Sequence, residues 1–143
     1  VMMENTRYKF RAWQKYHKKM VEVTSISFDD NGEINGVTTF VENQAPQRVT
    51  YKDGLGNFFL TDEHGTVLEL MQSTGLVDKN GIQIFEGDIY RYEYLTGSGV
   101  EYRNSVVEWE TTEVAYEGVF HGYELNNYEI EVIGNIYENS DLI

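Results

Sequence analysis

The sequence predicts an all-β protein in which an N-terminal β-meander packs on a small, highly twisted C-terminal β-barrel, with little helix. Of its 143 residues, 54 are Val, Ile, Thr, Tyr, Phe or Trp, the types that fit a pleated, half-buried strand surface. No segment keeps the roughly 3.6-residue apolar period of an amphipathic helix. Turns made of an acidic residue and a glycine recur at intervals of roughly ten residues, which is typical of meanders and small barrels.

The N-terminal β region is predicted over residues 8–72, after a loose N-terminus at residues 1–7. Its first strand runs from Tyr8 to Trp13 and alternates, which predicts one core face and one basic face in solvent. A polar connection follows at residues 14–19. Further strands are predicted at residues 20–28, 37–41, 49–51, 58–60 and 66–71, with turns at residues 29–32, 35–36, 52–54 and 62–65.

The C-terminal barrel region is predicted over residues 73–143, and residues 72–77 are predicted to bend between the two halves. The clearest alternation of apolar and polar residues is in the strand at residues 128–133. They are predicted at residues 82–85, 89–94, 100–109, 114–120, 123–125 and 128–133, and the tail is predicted to form one helical turn.

Turn residues of the C-terminal region have predicted structural roles. Asn80 and Gly81 form the clearest hairpin turn of the chain, since Asn and Gly accept a positive φ at low cost. Gly87 predicts a sharp turn, and Asp88 is predicted to bridge that turn through its side chain. Gly134 predicts a bulge or a close backbone approach in the last strand pair.

The net charge of −13 argues against a general nucleic-acid binder, because binding the phosphate backbone needs clustered Lys and Arg. Six of the eleven bases lie within residues 1–20, whereas residues 104–143 contain nine acids and no Lys or Arg. The simplest interpretation is a solvated acidic face, complemented by the basic N-terminal strand within or between chains. The alternative is a negative surface that imitates nucleic acid and occupies a basic site on a host protein.

The residue types that carry catalysis and metal binding do not occur in the required patterns. There is no Cys, and no local metal motif fits the three histidines, which are His17, His64 and His121. A calcium loop beginning at Asp29 fails, because Ile34 stands where glycine must make the bend and Phe40 where a bidentate Glu is needed. We therefore expect no catalytic residue, no metal, no cofactor and no enzyme activity, although spacing alone leaves a paired-carboxylate hydrolase open. No apolar run reaches the ~18 residues of a membrane helix, so no membrane partner is expected.

Three tyrosines are one candidate for a ligand-binding surface. Tyr90, Tyr92 and Tyr94 share a face of their predicted strand. That face is either core or, if exposed, a platform of the kind small barrels use to bind peptides or bases. Trp109 is predicted to lie in the core.

The basic first strand is the candidate site of self-association. Trp13 lies on its basic face and is predicted to be exposed, and it forms a candidate interface with Tyr8, Phe10 and Arg11, because Trp and Arg dominate interface hot spots. Opposite charges on separate parts of the chain are what a head-to-tail contact between copies needs, so a homo-oligomer is predicted. The alternative is that this strand packs on its own barrel.

Several blocks of sequence, in order, carry a family resemblance. They are KFRAW at residues 9–13, LMQSTGL at 70–76, DKNG at 78–81, IFEGDI at 84–89, VEW at 107–109 and EVIGNIYEN at 131–139. Together they resemble the YopX-like family of phage and prophage proteins over roughly residues 8–143. The resemblance implies an SH3-like β-barrel in the C-terminal region and a phage-encoded gene. It does not point to any particular activity, and it gives no catalytic residues to carry over.

These observations favour a phage or prophage accessory protein that acts without catalysis in the cytoplasm of the bacterial host. It is expected to work by binding protein: a copy of itself, a host protein or a phage protein. One alternative is an acidic inhibitor of a host nucleic-acid enzyme, which predicts salt-sensitive binding to a basic enzyme. A second alternative is nucleic-acid binding through the basic N-terminal strand, which predicts salt-sensitive binding to DNA or RNA.

Overall fold

The computed structural model describes residues 8–49, 68–110, 115–116 and 129–143. Within these ranges the chain forms eleven strands and almost no helix, with a short 3-10 helix at Ser140–Leu142, so the predicted all-β fold is confirmed. The chain divides into two compact units. One is Lys9–Met71, and the other comprises Val1–Tyr8 and Gln72–Ile143.

The N-terminal unit is an antiparallel meander followed by the start of a longer strand. Its strands are β1 (Phe10–Gln14), β2 (Lys19–Phe28), β3 (Ile34–Phe40), β4 (Gln47–Val49) and the first part of β5 (Leu68–Val77). They are hydrogen-bonded in the order β4-β3-β2-β1-β5, and the pairs β1–β2, β2–β3 and β3–β4 are antiparallel. Ala12, Val21, Val37 and Leu68 form its buried core.

The C-terminal unit contains the rest of β5, which pairs with one short strand, together with a two-stranded sheet and a three-stranded sheet. Its other strands are β6 (Gln83–Phe85), β7 (Asp88–Thr96), β8 (Gly99–Val106), β9 (Trp109–Glu110), β10 (Ala115–Tyr116) and β11 (Glu131–Asn135). β6 pairs antiparallel with β5, β9 pairs with β10, and a three-stranded antiparallel sheet has the order β11-β7-β8. Ile84, Tyr90 and Val107 form the buried core, with half-buried apolar residues packed around them.

The described strands of the C-terminal unit form open sheets, and they do not close into a barrel. The predicted strands at 58–60 and 123–125 lie outside the described residues, as do most of 114–120 and the histidines His64 and His121. The all-β class is therefore confirmed, and the SH3-like barrel is not.

One predicted bend and one predicted turn lie within strands, although the two units do meet at the bend, between Met71 and Gln72. Residues 72–77 were expected to bend, but β5 continues through them with a register shift between Ser73 and Val77, where Gly75 has a φ of 81°. Asn35 and Gly36 lie inside β3, because the preceding turn at residues 29–33 already reverses the chain. The Asn35 side chain instead accepts a 2.7 Å hydrogen bond from the Ser27 hydroxyl on β2.

The predicted exposures of the two tryptophans are both wrong. Trp13 is only 8% exposed, and it lies between two other buried residues, Ala12 and Gln14. Both faces of β1 are therefore covered at this end of the strand, so alternation does not produce the expected solvent face. Trp109, expected in the core, is 48% exposed on the short strand β9.

Candidate functional site

The hairpin of β7 and β8 extends beyond the three-stranded part of its sheet. The two strands pair continuously from Ile89 with Val106 to Thr96 with Gly99. On the other edge of β7, the pairing with β11 ends at Arg91. We call residues 91–104, the two-stranded extension and its base, the β7–β8 arm.

The tip of the arm is a tight turn stabilised by its own side chains. Gly97 and Ser98 form the loop between the strands. The Thr96 hydroxyl donates a 3.1 Å hydrogen bond to the Gly99 carbonyl and accepts one of 3.2 Å from the Ser98 amide. At the base of the arm, the Asn104 side-chain amide donates a 2.8 Å hydrogen bond to the Leu142 carbonyl in the tail. Local contacts therefore fix both ends of the ribbon.

One face of the arm is apolar and exposed. Leu95 and Val100 are directly opposed across the two strands, and Tyr102 lies two residues further along β8 on the same face. Leu95 is 69% exposed, Tyr102 64% and Val100 53%. The Tyr102 hydroxyl donates a 3.3 Å hydrogen bond to its cross-strand neighbour Glu93. We call Leu95, Val100 and Tyr102 the apolar arm face.

The opposite face of β7 carries the three tyrosines predicted as a platform. Tyr90 is buried in the core of the unit, Tyr92 is half-buried, and Tyr94 is exposed near the tip. The Arg103 guanidinium lies 3.8 Å from the centroid of the Tyr94 ring, a cation–π contact that covers one side of this ring. The row of tyrosines therefore runs from core to solvent, and it does not present three open rings to a ligand.

The residues of the predicted N-terminal interface differ widely in exposure. Tyr8 is exposed, Phe10 and Arg11 are half-buried, and Trp13 is buried. The apolar anchor that was expected to be exposed is therefore inside the isolated chain. The exposed apolar residues of the arm were missed, although Leu95 and Val100 flank the Thr-Gly-Ser-Gly turn in a pattern that predicts a hairpin pair.

The predicted turn residues surround two buried carboxylates. Asp78 begins the turn that contains Asn80 and Gly81, and its Oδ1 accepts hydrogen bonds of 2.8 Å from the Asn80 amide and 2.9 Å from the Ile82 amide. Its Oδ2 accepts a 2.9 Å hydrogen bond from the amide of Val132 on β11. These oxygens are held by backbone donors, which is the arrangement of a structural carboxylate and not of a free general base.

Asp88 has a similar structural position. It is buried, and its Oδ2 accepts a 2.8 Å hydrogen bond from the Phe85 amide across the Glu86–Gly87 turn. The Gly87 amide donates a 2.9 Å hydrogen bond to the Val107 carbonyl, and the Gly87 carbonyl accepts one from Ile136. In β11, the register shifts between Val132 and Gly134, so a bulge lies at this glycine.

Removal of divalent metal is expected to leave the melting temperature unchanged. The part of the chain that the structure describes holds no group of three or more His, Asp or Glu side chains placed to bind a metal ion. Oδ1 of Asp29, the first ligand of the rejected calcium loop, accepts hydrogen bonds from the Asn31 and Glu33 amides. Thermal unfolding with EDTA and with added calcium checks this, and a reproducible shift in either direction would contradict it.

Within the described ranges there is also no helix long and apolar enough to cross a membrane.

Comparison with known proteins identifies relatives of this chain. No curated protein matches it. Among solved structures, it is similar to the crystal structure of protein EF1440 from Enterococcus faecalis, with 32% sequence identity and a TM-score of 0.59. That alignment covers 94% of this chain and 96% of the other. The model of the YopX protein family matches residues 9–143. The chain therefore belongs to the YopX protein family.

Proposed function

We propose that the chain is a non-catalytic accessory protein, encoded by a phage or prophage and acting in the host cytoplasm, that binds protein through the apolar arm face. The observation that carries this proposal is the exposure of Leu95, Val100 and Tyr102 together on one face of a two-stranded ribbon. A two-stranded ribbon gains stability when a further element packs on its apolar side. A protein surface seated on this face supplies that element.

The energetics of the arm suit a binding site. Complete burial of a Leu or Val side chain contributes about 1.5–3 kcal/mol relative to exposure. Tyr102 adds a large ring with a polar end, the side-chain type that is enriched at interface hot spots. The local hydrogen bonds at the tip and base order the ribbon before it binds. Pre-organisation of this kind lowers the entropy lost on association.

The SH3-like barrel belongs to the proposal as well. The described strands leave the C-terminal sheets open, so closure into a barrel calls for pairing by residues at 111–114 and 117–128, which lie outside the described ranges. An experimental structure that places these residues tests the closure.

The test of function compares an arm variant with a matched surface variant. Leu95→Ser with Val100→Ser removes the apolar pair, whereas Ile82→Ser removes an exposed apolar side chain of the same unit outside the arm. Tagged chains capture proteins from an extract of infected host cells, and mass spectrometry compares the captured proteins. We expect the double variant to lose the proteins that the unmodified chain and Ile82→Ser both retain. Equal capture by all three folded chains would contradict the proposed function.

A further inference from the structure

We propose that the partner of the apolar arm face is a second copy of this chain, with two β7–β8 arms packed face to face about a two-fold axis. This inference rests on the proposed function, because it names the partner of the same surface. The two copies form one isologous contact, in which the same patch serves both sides.

The apolar arm face has the geometry that a two-fold contact needs. Leu95 and Val100 are directly opposed, so a two-fold axis through this pair brings four aliphatic side chains of the two copies together. Tyr102 lies next to the pair on the side away from the tip, so each Tyr102 ring covers one end of the aliphatic cluster. One two-fold rotation therefore buries the four aliphatic side chains between the two Tyr102 rings.

The charges of the arm fit a second copy better than a charged foreign surface. The arm contains two bases, Arg91 and Arg103, and two acids, Glu93 and Glu101, so it is neutral within a chain of net charge −13. A basic partner is therefore better matched elsewhere on the chain. For two copies, contact through neutral arms keeps the acidic remainder at a distance where salt screens its repulsion, beyond about 8–10 Å.

The charged residues of the same face lie beside this contact. Glu93 and Arg91 are two and four residues from Leu95 along β7, towards the base of the arm. A two-fold axis through the Leu95–Val100 pair reverses the strand direction, so these charges of the two copies lie on opposite sides of the axis. The centre of the contact is therefore apolar, and no like charges are brought together there.

The size of the face sets the expected affinity. The ribbon from Arg91 to Thr96 contains six cross-strand pairs, only half of which present side chains to this face. Such a face is smaller than the roughly 800 Å² per partner of a standard interface. We therefore expect a dimer with a dissociation constant on the order of 10 μM.

Cysteine cross-linking locates the contact, because the chain contains no Cys of its own. Leu95→Cys places one thiol beside the proposed two-fold axis. Glu101→Cys places a thiol one cross-strand pair further from the tip and on the opposite face, because Glu101 pairs with Tyr94. Each purified full-length variant is oxidised with diamide and separated under non-reducing conditions. We expect Leu95→Cys to form disulfide-linked dimers at least about 10-fold faster than Glu101→Cys.

The serine changes test the apolar contact itself. Leu95→Ser with Val100→Ser is expected to weaken dimerisation, measured by sedimentation equilibrium, by at least about 30-fold.

Three outcomes would overturn the inference. The first is a folded, unmodified chain that stays monomeric at about 100 μM, ten times the expected dissociation constant. The others are equal cross-linking of the two cysteine variants and a dimer that the serine changes do not weaken. A monomeric chain whose serine variant still loses a protein captured from host extract overturns the second copy as partner and leaves the proposed function standing. A serine variant that retains both its dimer and its captured proteins overturns both.

Discussion

Replacing Asp78 by alanine is expected to lower the free energy of unfolding by about 3 kcal/mol. The buried carboxylate accepts three backbone hydrogen bonds: two within its own turn and one from Val132 on β11. Alanine removes both acceptor oxygens, and with them all three hydrogen bonds, and it leaves the Val132 amide without this partner. A buried donor that loses its acceptor costs about 1–3 kcal/mol, so the long-range bond dominates the effect. Urea unfolding followed by circular dichroism measures the loss.

Asp29 provides a matched control within the same chain. It begins a turn with the same Asp-x-Asn-Gly pattern, and its Oδ1 accepts hydrogen bonds of 2.8 Å from Asn31 and 3.0 Å from Glu33. No described hydrogen bond links this carboxylate to a distant strand. Asp29→Ala is therefore expected to cost about 1 kcal/mol, because it breaks only turn contacts. Equal losses for the two variants would show that the Val132 bond contributes nothing.

Replacing Gly134 by alanine is expected to cost about 3 kcal/mol, because the site has no space for a methyl group. An added Cβ lies 2.6 Å from Cγ and 2.8 Å from Cβ of Asn139. The whole Asn139 side chain must then move, although its Oδ1 accepts a 3.1 Å hydrogen bond from the Asn135 amide. Asn135 in turn accepts hydrogen bonds from the Tyr137 and Glu138 amides, so the displacement spreads through the turn after β11.

Two companion variants make this prediction specific. Gly97 at the tip of the arm has open space around its added Cβ, so Gly97→Ala is expected to change the free energy of unfolding by no more than about 0.5 kcal/mol. Asn139→Gly removes the side chain that Gly134→Ala meets. In that background Gly134→Ala is expected to cost about 1 kcal/mol, so the double-mutant cycle shows strong coupling. Additive losses in denaturant unfolding would place the strain elsewhere.

The sequence predicts best those features that depend on neighbours along the chain. Asn80 and Gly81 form a turn because the turn conformation is set within five residues, and Gly81 has the positive φ of 80° that the pattern requires. The strands on either side follow from apolar alternation. The family assignment also succeeds, because it rests on ordered blocks of sequence over most of the chain.

Burial is predicted less well, because it depends on what covers each face. The alternation in β1 was expected to leave Trp13 in solvent, yet three consecutive residues of this strand are buried. Trp109 was expected inside because it is large and apolar, but folded surfaces retain much apolar area. The hydrogen bond from the Val132 amide to Asp78 could not be predicted either, since Val132 lies 54 residues further along the chain. The arm was missed for the same reason: its exposure depends on where β11 stops pairing with β7.

The two Asp-x-Asn-Gly turns have nearly identical hydrogen bonds, and yet they differ in the motion that can open them. The turn at residues 29–33 is held by bonds within itself, so its amides exchange with solvent when that hairpin end frays. In the turn at residues 78–82, the same carboxylate also holds β11, and the Lys79 amide donates to the Ile130 carbonyl. Release of this turn therefore requires β11 to separate from it. Amide exchange at the same five-residue motif is therefore controlled by local fraying at residues 29–33 and by cooperative opening with β11 at residues 78–82.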